Sequence, residues 1–374
     1  MKIIIFGSKG WIGSQFVEIL KKTEFSFFEG KSRVDNEKEI LQEIEEIQPT
    51  HVISFIGRTH GKIGEKIYST IDYLEQDGKL LENVRDNLYS PILLAELCKQ
   101  RKIHYSYLGT GCIFKYDENI SSFNEESLPN FFGSSYSVVK GFTDRLLHLY
   151  NDSVLNLRIR MPITGSRNPR NFITKISTYE KVCSVANSMT VLPELLPFVL
   201  DMMEKNVTGT VNLTNPGLIS HNEILEMYKE IIDPDFIWNN FSQEEQRKIL
   251  AADRSNNLLD TTKLETLYPQ VKDIKTSVRE CLLTYSQLVV TSNNLLNVIN
   301  WLKLGYIVCL HISNENKQYY YSQKHFKEII YIDLINWPSL LEEDEWVYYI
   351  KEQGFVPYKS IDILPKKEHH FTLP

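Results

Sequence analysis

The sequence predicts an α/β fold in which a doubly wound parallel sheet is covered by helices on both faces. The chain opens on an almost wholly apolar run, Lys2 to Phe6, typical of strands buried on both faces of a parallel sheet. A glycine-rich loop and a helical pattern follow at once. Four strand-helix units fit into about 115 residues, and right-handed crossovers between them make a doubly wound sheet the most economical arrangement.

The individual elements follow from the spacing of apolar residues along the chain. Helices are predicted where apolar residues recur with helical spacing, and strands where apolar residues run together or alternate. The predicted strands are Lys2 to Phe6, Phe25 to Glu29, His51 to Gly57, His104 to Phe114 and Val154 to Arg160, and the predicted helices are Ser14 to Lys22, Asn36 to Ile47, Lys79 to Gln100 and one that begins after Ser134.

Composition excludes several classes of protein. The net charge of -7 and the pI near 5.8 disfavour binding to nucleic acid or to an anionic membrane. Five cysteines without a Cys-x-x-Cys pair fit neither a disulfide framework nor a zinc ribbon, so we expect a reducing, cytoplasmic location and no metal site. No apolar run reaches the ~18–20 residues of a membrane span, and the N-terminus is predicted to form a short strand rather than a signal peptide.

The glycine-rich loop predicts a dinucleotide site. A G-x-x-G-x-x-G pattern between a strand and a helix lets the backbone approach a pyrophosphate, which then lies at the helix N-terminus. The alternative is a structural turn with incidental glycines. The cofactor contacts expected from this loop are Gly7, Lys9, Gly10, Trp11, Ile12 and Gly13.

The turn after the second strand bears on which dinucleotide binds. Arg33, with Lys31 and Ser32 beside it, could accept a 2′-phosphate, which favours NADPH over NADH. The acidic residue Asp35 lies close by and makes this interpretation ambiguous. A solvated turn is the alternative. We therefore expect NADPH and leave NADH open.

The end of the third strand is expected to border the ligands, because ligands of open parallel sheets lie outside the carboxyl ends of the strands. Gly57 and Arg58 are predicted cofactor contacts there, together with Asn87 in the long helix that follows. His60 is predicted to contact substrate, although a loop histidine is more often merely exposed.

The stretch from Tyr105 to Lys140 is interpreted as the reaction centre. Thr110 and Cys112 stand two residues apart on a predicted strand and should share a face, and Tyr136 and Lys140 stand one helical turn apart. An ammonium beside the phenol would favour the phenolate and lower the pKa of Tyr136. The alternative is an exposed helix face with one half-buried tyrosine.

These residues resemble an extended short-chain dehydrogenase/reductase of the dTDP-4-dehydrorhamnose reductase branch, and more closely the bifunctional nucleotide-sugar 3,5-epimerase/4-reductases of rhamnose synthesis. The resemblance covers about residues 1–285 in many separate blocks. Besides the glycine loop and Tyr136-x-x-x-Lys140, the matching segments are Gly109 to Phe114, Glu125 to Phe131, Leu157 to Ile163, Asn168 to Ile176, Asn187 to Thr190, Asn212 to Gly217 and Ser220 to Leu225.

The resemblance implies a UDP- or dTDP-4-keto-6-deoxy-glucose substrate, 3,5-epimerisation, and NADPH-dependent reduction at carbon 4. Cys112 and Lys175 would form the epimerising acid/base pair, with the role of each left open, whereas a buried filler is the alternative for Cys112. Thr110, Tyr136 and Lys140 would serve reduction. Met161 would lie near the nicotinamide.

The resemblance also places the substrate. Arg170, Asn171 and Phe172 would lie near the sugar. Two further segments would contact the nucleotide, and Arg254 could bind the pyrophosphate in a bidentate manner. Ordinary loop polarity is the alternative for the other residues of these segments, of which the predicted contacts are Asn187, Met189 and Asn257.

Length and the extent of the resemblance predict the domain organisation. A chain of 374 residues exceeds the ~250–300 at which single cores stop growing. We expect a catalytic domain over 1–285, with 1–155 mainly binding dinucleotide and 156–285 mainly binding substrate. An α/β appendage over 286–374 would contain helix-like runs at Leu295 to Leu304 and Leu340 to Glu352, and strands at Tyr306 to Ile312 and Glu328 to Ile335.

The sequence does not indicate a function for the appendage. A packing extension is favoured over an oligomerisation module or a remnant of another enzyme. A homodimer is compatible with the sequence. The alternatives for the whole chain are a plain 4-reductase, which Cys112 and Lys175 argue against, and a silent dinucleotide-binding regulatory subunit, which Thr110, Tyr136 and Lys140 argue against.

Overall fold

A computed structural model of the chain describes residues 1–117 and 122–287, together with five strand segments between 307 and 369. The predicted helices at Leu295 to Leu304 and Leu340 to Glu352 lie outside the described residues. The strands are β1 (Lys2–Phe6), β2 (Ser26–Glu29), β3 (His51–Ser54), β4 (Gly61–Ile63), β5 (Lys66–Tyr68), β6 (His104–Thr110), β7 (Val154–Ile159), β8 (Pro162–Ile163), β9 (Lys181–Val182), β10 (Thr190–Val191), β11 (Gly209–Asn212), β12 (Asn239–Asn240), β13 (Ile307–Ile312), β14 (Lys317–Ser322), β15 (Ile329–Leu334), β16 (Val356–Pro357) and β17 (Glu368–His369).

Helices connect and cover these strands. The α-helices of the described residues are α1 (Trp11–Leu20), α2 (Glu37–Ile47), α3 (Leu80–Val84), α4 (Ser90–Gln100), α5 (Ser135–Leu147), α6 (Phe172–Ile176), α7 (Leu192–Glu204), α8 (His221–Ile231), α9 (Gln243–Ile249), α10 (Thr262–Leu267) and α11 (Ile274–Gln287). Short 3-10 helices span Ile71–Glu75 and His148–Tyr150, and a π-helix spans Arg85–Tyr89.

The central sheet has six strands in the order β11-β7-β6-β3-β1-β2, and every neighbouring pair is parallel. The order reverses direction between β1 and β3, as in a doubly wound sheet. The predicted fold class is therefore confirmed. The carboxyl ends of β1, β3, β6 and β7 meet at one edge of this sheet, where a ligand crevice is expected.

Both faces of the sheet are apolar, which explains the lack of polar alternation in the strand sequences. On one face, Ile3 and Ile5 of β1 belong to a buried cluster with Phe16 of α1 and Val199 of α7. On the other face, Ile4 belongs to a separate cluster on the side of α2 and α4. Successive side chains of one strand thus enter two different cores.

The chain forms two compact units. The first comprises Met1–Thr164, Asn168–Leu225 and Trp238–Arg279, and it contains the six-stranded sheet. The second comprises Gly165–Arg167, Glu226–Ile237 and Glu280–Pro374, and it contains a mixed five-stranded sheet in the order β16-β14-β13-β15-β17. β13 and β15 fall within the strands predicted for the appendage. The predicted domain boundary at 285 stays a prediction.

Two predicted elements differ from the structure in ways that shape the site. The predicted helix 79–100 is interrupted by the π-helix, which ends just before Pro91, a residue that cannot donate a backbone hydrogen bond. The predicted strand 104–114 ends at Thr110, where its partner β7 also ends. Cys112 therefore lies in a turn, and strand alternation does not determine its direction.

Candidate active site

A cavity of about 620 Å³ lies at the carboxyl edge of the central sheet. It brings together the predicted catalytic residues and most of the predicted binding residues, which come from distant parts of the sequence. The predicted residues that line it are Gly7, Gly10, Trp11, Ile12, Gly13, Gly57, Arg58, His60, Asn87, Thr110, Cys112, Tyr136, Lys140, Met161, Arg170, Phe172, Lys175 and Arg254.

The glycine loop forms one end of this cavity and fits a pyrophosphate. Gly7 has a φ of 80°, a left-handed conformation that favours glycine. A side chain at Gly13 would collide with the carbonyl of Gly7. α1 then starts with Gly10 as its N-cap and no side-chain cap, so its first N–H groups are available to an anion.

Tyr136 is a buried acid rather than an activated base. Ser134 caps α5 by accepting a hydrogen bond from the Ser137 N–H at 3.1 Å, and Tyr136 lies in the first turn. Burial, and then the Cys112 side chain, raise the pKa of Tyr136 above its ordinary value, while hydrogen bonding to Thr110 acts in the opposite direction. The phenol is therefore protonated at neutral pH and ready to donate a proton.

Lys140 is directed at a different phenol from the one expected. Its Nζ donates to the hydroxyl of Tyr107 on β6 and lies 4.5 Å from the centre of that ring. Burial lowers the pKa of Lys140 to about 7, against the opposing effects of Asp144 and Cys112. The expectation that this ammonium lowers the pKa of Tyr136 is not met, because burial outweighs it at both groups.

Thr110 and Cys112 meet at the end of β6. The Thr110 Oγ1 accepts a hydrogen bond from the Cys112 N–H at 3.1 Å and donates to the carbonyl of Ile159 at 3.4 Å. The Cys112 carbonyl accepts a hydrogen bond from Ser137 Oγ at 2.8 Å, which ties this turn to α5. These contacts hold the thiol near the phenol of Tyr136.

Lys175 enters the cavity from α6, a helix capped by Asn171. Its Nζ donates to the carbonyl of Ser69 at 3.4 Å. Burial, followed by the charges of Arg170 and Arg254, lowers the pKa of Lys175. A lysine with a lowered pKa exchanges protons more readily near neutral pH.

Cationic side chains surround Lys175. Arg170 Nη2 lies 2.8 Å from His60 Nε2, and Arg254 Nη2 forms an ion pair with Asp72 at 2.6 Å. Burial, and then Arg170, lower the pKa of His60, so this histidine is neutral at pH 7 and accepts from Arg170. Asp72 offsets only one of the charges, which leaves this side of the cavity suited to an anion.

Six predicted binding residues do not line the cavity. Lys9 is exposed, and Arg33 is held by Asp35 through hydrogen bonds of 3.0 and 3.2 Å. The other four are completely buried, because their side chains serve the protein's own backbone and core; they are Asn171, Asn187, Met189 and Asn257. Asn257, for example, donates to the carbonyls of Gly111 and Phe114.

Sequence reasoning missed an acid beside the glycine loop and a cation in the wall of the cavity. Glu29 ends β2, and its Oε2 accepts a hydrogen bond from Ser8 Oγ of the glycine loop at 2.7 Å. Its distance from the loop, about 20 residues, was a usable signal for a ribose-binding acid. Arg160 is buried beside Cys112 and lines the cavity. Arg158, two residues earlier, instead pairs with Asp144 at 2.7 Å, a difference that the sequence does not reveal.

Comparison with known proteins shows the family. Protein L780 of Acanthamoeba polyphaga mimivirus is 57% identical over 284 residues, covering 75% of this chain and 97% of the relative. Its crystal structure, described as a UDP-rhamnose synthase, has a TM-score of 0.73 at 56% identity and covers 76% of this chain and 99% of that chain. No protein-family profile matches the chain.

A second relative names the chemistry. The bifunctional dTDP-4-dehydrorhamnose 3,5-epimerase/dTDP-4-dehydrorhamnose reductase of Arabidopsis thaliana is 42% identical over 281 residues, covering 74% of this chain and 90% of the relative. The chain belongs to the 3,5-epimerase/4-reductase family of rhamnose synthesis. The resemblance found in the sequence is thereby confirmed.

The fold of this epimerase/reductase family member is also found in NAD(P)-binding enzymes. A dTDP-4-dehydrorhamnose reductase from Bacillus anthracis, solved in complex with NADP, has a TM-score of 0.62 at 18% identity and covers 75% of this chain and 98% of that chain. Within residues 1–117 and 122–287, no helix combines the length and apolar character needed to cross a membrane. The same stretches contain no group of three His, Cys, Asp or Glu side chains suited to a metal ion.

Proposed function

We propose that this protein converts UDP-4-keto-6-deoxy-glucose to UDP-rhamnose by epimerising carbons 3 and 5 and then reducing carbon 4. The observation that carries this proposal is the convergence of two sets of residues on one cavity. Thr110, Tyr136 and Lys140 are suited to reduction, and Cys112 and Lys175 to proton exchange at carbon. The names of the relatives support the same pair of reactions.

Epimerisation requires one group to remove a proton and another to return one on the opposite face of the ring. The C4 ketone acidifies the neighbouring C–H bonds, whose electron pair moves into an enolate when the proton leaves. Cys112 reaches the cavity from the turn that follows β6, and Lys175 reaches it from α6. Epimerisation precedes reduction, because loss of the ketone also removes this acidity.

Reduction needs a proton donor at the C4 oxygen. A bound nicotinamide dinucleotide would supply the hydride. Tyr136, whose pKa is raised by burial, would donate its proton to that oxygen, and Thr110 would hydrogen-bond the same oxygen. Lys140 would hold the cofactor ribose and replace the proton that Tyr136 loses.

We infer that NADPH is the preferred cofactor and that NADH is accepted. Arg33 carries the charge that a 2′-phosphate would bind, once it is released from Asp35. Glu29, which accepts a hydrogen bond from Ser8 of the glycine loop, would in contrast accept hydrogen bonds from the ribose hydroxyls of NADH and repel a 2′-phosphate. The balance between these two side chains would set the preference.

The diphosphate of the sugar nucleotide would lie against Arg170 and Arg254, on the cationic side of the cavity. UDP is proposed over dTDP on the strength of the mimivirus relative. The two bases differ by one methyl group, a difference worth only ~1–3 kcal/mol in a pocket.

The direct test is turnover of the purified full chain with UDP-4-keto-6-deoxy-glucose and NADPH. Absorbance at the nicotinamide band reports reduction, and analysis of the sugar reports configuration. UDP-rhamnose supports the proposal. A 4-reduced sugar with carbons 3 and 5 unchanged would show that the protein is a plain 4-reductase. Absence of turnover with both UDP and dTDP substrates would refute the proposal.

A further inference from the structure

Arg160 is a buried cation held in place by neutral groups. It directly follows β7 and is 1% exposed. Its Nη1 donates to the Gly111 carbonyl at 3.2 Å and to Ser255 Oγ at 3.1 Å, and its Nη2 donates to Asn187 Oδ1 at 2.8 Å and to the Ser255 carbonyl at 2.9 Å. These contacts fix the position of the guanidinium without neutralising its charge.

Arg158, two residues earlier, is paired with a carboxylate, as buried arginines usually are. Its Nε and Nη2 donate to the two carboxylate oxygens of Asp144 at 2.8 and 2.7 Å. Within the described residues, no carboxylate forms an ion pair with Arg160, and its Nε has no hydrogen-bond partner. A buried charge without a counter-ion costs several kcal/mol, so its presence calls for a reason.

Cys112 lies beside this charge, because Arg160 donates to the carbonyl of Gly111, the preceding residue, and both side chains line the same cavity. Burial lowers the pKa of Arg160, and the acidic side chains that oppose this effect are Cys112 and then Tyr116. The Tyr116 hydroxyl donates to the Ala186 carbonyl at 2.9 Å, and burial raises the pKa of Tyr116, so that phenol stays neutral. Cys112 is therefore the acidic side chain that remains next to Arg160 in the cavity.

We propose that Arg160 is a positioning residue that acts through Cys112, supplying the fixed positive charge that holds a thiolate in the cavity. This inference rests on the proposed function. It assigns proton removal to Cys112: the thiolate takes the proton from the carbon beside the ketone, an S–H bond forms, and the C–H electron pair enters the enolate. Return of a proton on the other face is left to Lys175.

Arg160 is better suited to this task than Lys140, the other cation near Cys112. The pKa of Lys140 is lowered to about 7 by burial, so about half of its charge is lost at neutral pH. A guanidinium keeps its charge in proteins at any pH of interest. Arg160 also packs closely against the turn that holds Cys112, because a side chain at Gly111 would lie 2.6 Å from Leu259 and 3.1 Å from the aliphatic carbons of Arg160.

The test measures thiol alkylation in the full chain without substrate. Iodoacetamide is applied at pH 8, where Lys140 is mostly neutral, and each cysteine is quantified by mass spectrometry. Cys183 lines the same cavity, and burial raises its pKa, so it is the internal control. We expect Cys112 to react about tenfold faster than Cys183.

The variant Arg160→Gln keeps hydrogen-bond donors and removes the charge. It should slow alkylation of Cys112 about tenfold and leave the rate of Cys183 unchanged, whereas Arg160→Lys should recover part of the rate. A general loosening of the fold would speed both cysteines. A Cys112 rate in Arg160→Gln within twofold of the unmodified protein would overturn the proposal.

The proposal stays testable if Arg160→Gln does not fold, because equal alkylation of Cys112 and Cys183 in the unmodified protein would also overturn it. Since no nucleotide sugar is used, failure of this inference is separate from failure of the proposed function. A protein with a reactive Cys112 but no turnover would keep the Arg160 assignment and lose the proposed reaction.

Discussion

The ammonium of Lys140 donates to the hydroxyl of Tyr107 rather than to the phenol of Tyr136, which lies one turn away on the same helix. The two tyrosines therefore have different roles. Tyr107 on β6 accepts the hydrogen bond of Lys140, and Tyr136 keeps its own proton because it is buried. An acid that is protonated at neutral pH suits reduction of a ketone, in which the oxygen must gain a proton.

The reductase activity should fall as the pH rises above 7. Burial lowers the pKa of Lys140 to about 7, so the ammonium is present below that pH and is lost above it. With a pre-epimerised 4-ketone and NADPH, log kcat/KM should decline with a slope near -1 on the alkaline side. Lys140→Met should be slow and lack this alkaline limb, and a wild-type plateau extending to pH 9 would contradict the assignment.

The variant Cys112→Ala should separate the two reactions. We expect a loss of about 10²–10⁴-fold in deuterium uptake from solvent at carbons 3 and 5, since one acid/base group is removed. Reduction of a pre-epimerised ketone should change far less, because the proposed donor of that proton is Tyr136. The matched control is Cys183→Ala, which removes the other thiol of the cavity. Persistent exchange in Cys112→Ala would remove Cys112 from the mechanism.

Cofactor choice should respond to Glu29 and Asp35, the two acids near the proposed site of the adenosine ribose. Glu29→Ser should raise the ratio of kcat/KM for NADPH over NADH by about tenfold, the worth of a hydrogen bond to a charged group. Asp35→Ala should act in the same direction by releasing Arg33, whose hydrogen bond lowers the pKa of Asp35. Glu24→Ala, an exposed acid just before β2, serves as the control. An unchanged ratio in both variants would place the ribose elsewhere.

Removal of Asp144 should destabilise the fold. Asp144→Ala leaves the charge of Arg158, which is 0% exposed, without its counter-ion and should cost about 3–5 kcal/mol in the free energy of unfolding. Adding Arg158→Met should restore a large part of this loss. Glu18→Ala breaks an exposed ion pair with Lys21 and should cost less than about 1 kcal/mol. The free energy of unfolding of the unmodified protein and the three variants is measured by urea denaturation. Equal losses of stability in Asp144→Ala and Glu18→Ala would show that burial of the Asp144–Arg158 pair is unimportant.

Local patterns were sufficient to predict the fold and much of the cavity. The apolar strands, the glycine loop and the Tyr136 to Lys140 spacing depend on neighbouring residues, whose relation is fixed by strand and helix geometry. Asn187 and Asn257 were predicted from the resemblance rather than from a local pattern, and both are buried. A polar residue in a loop looks alike whether it binds a ligand or a backbone carbonyl, and only its surroundings decide between the two.

The sequence by itself determined that a strand, a glycine loop and a helix form a dinucleotide cradle, and that a phenol and an ammonium stand one turn apart. Only the tertiary structure decided which group accepts the hydrogen bond of Lys140 and which of Arg158 and Arg160 forms an ion pair with a carboxylate. It also decided that Cys112 and Lys175 line one cavity. These relationships join residues far apart in the chain, and they depend on burial and on distances that no local pattern contains.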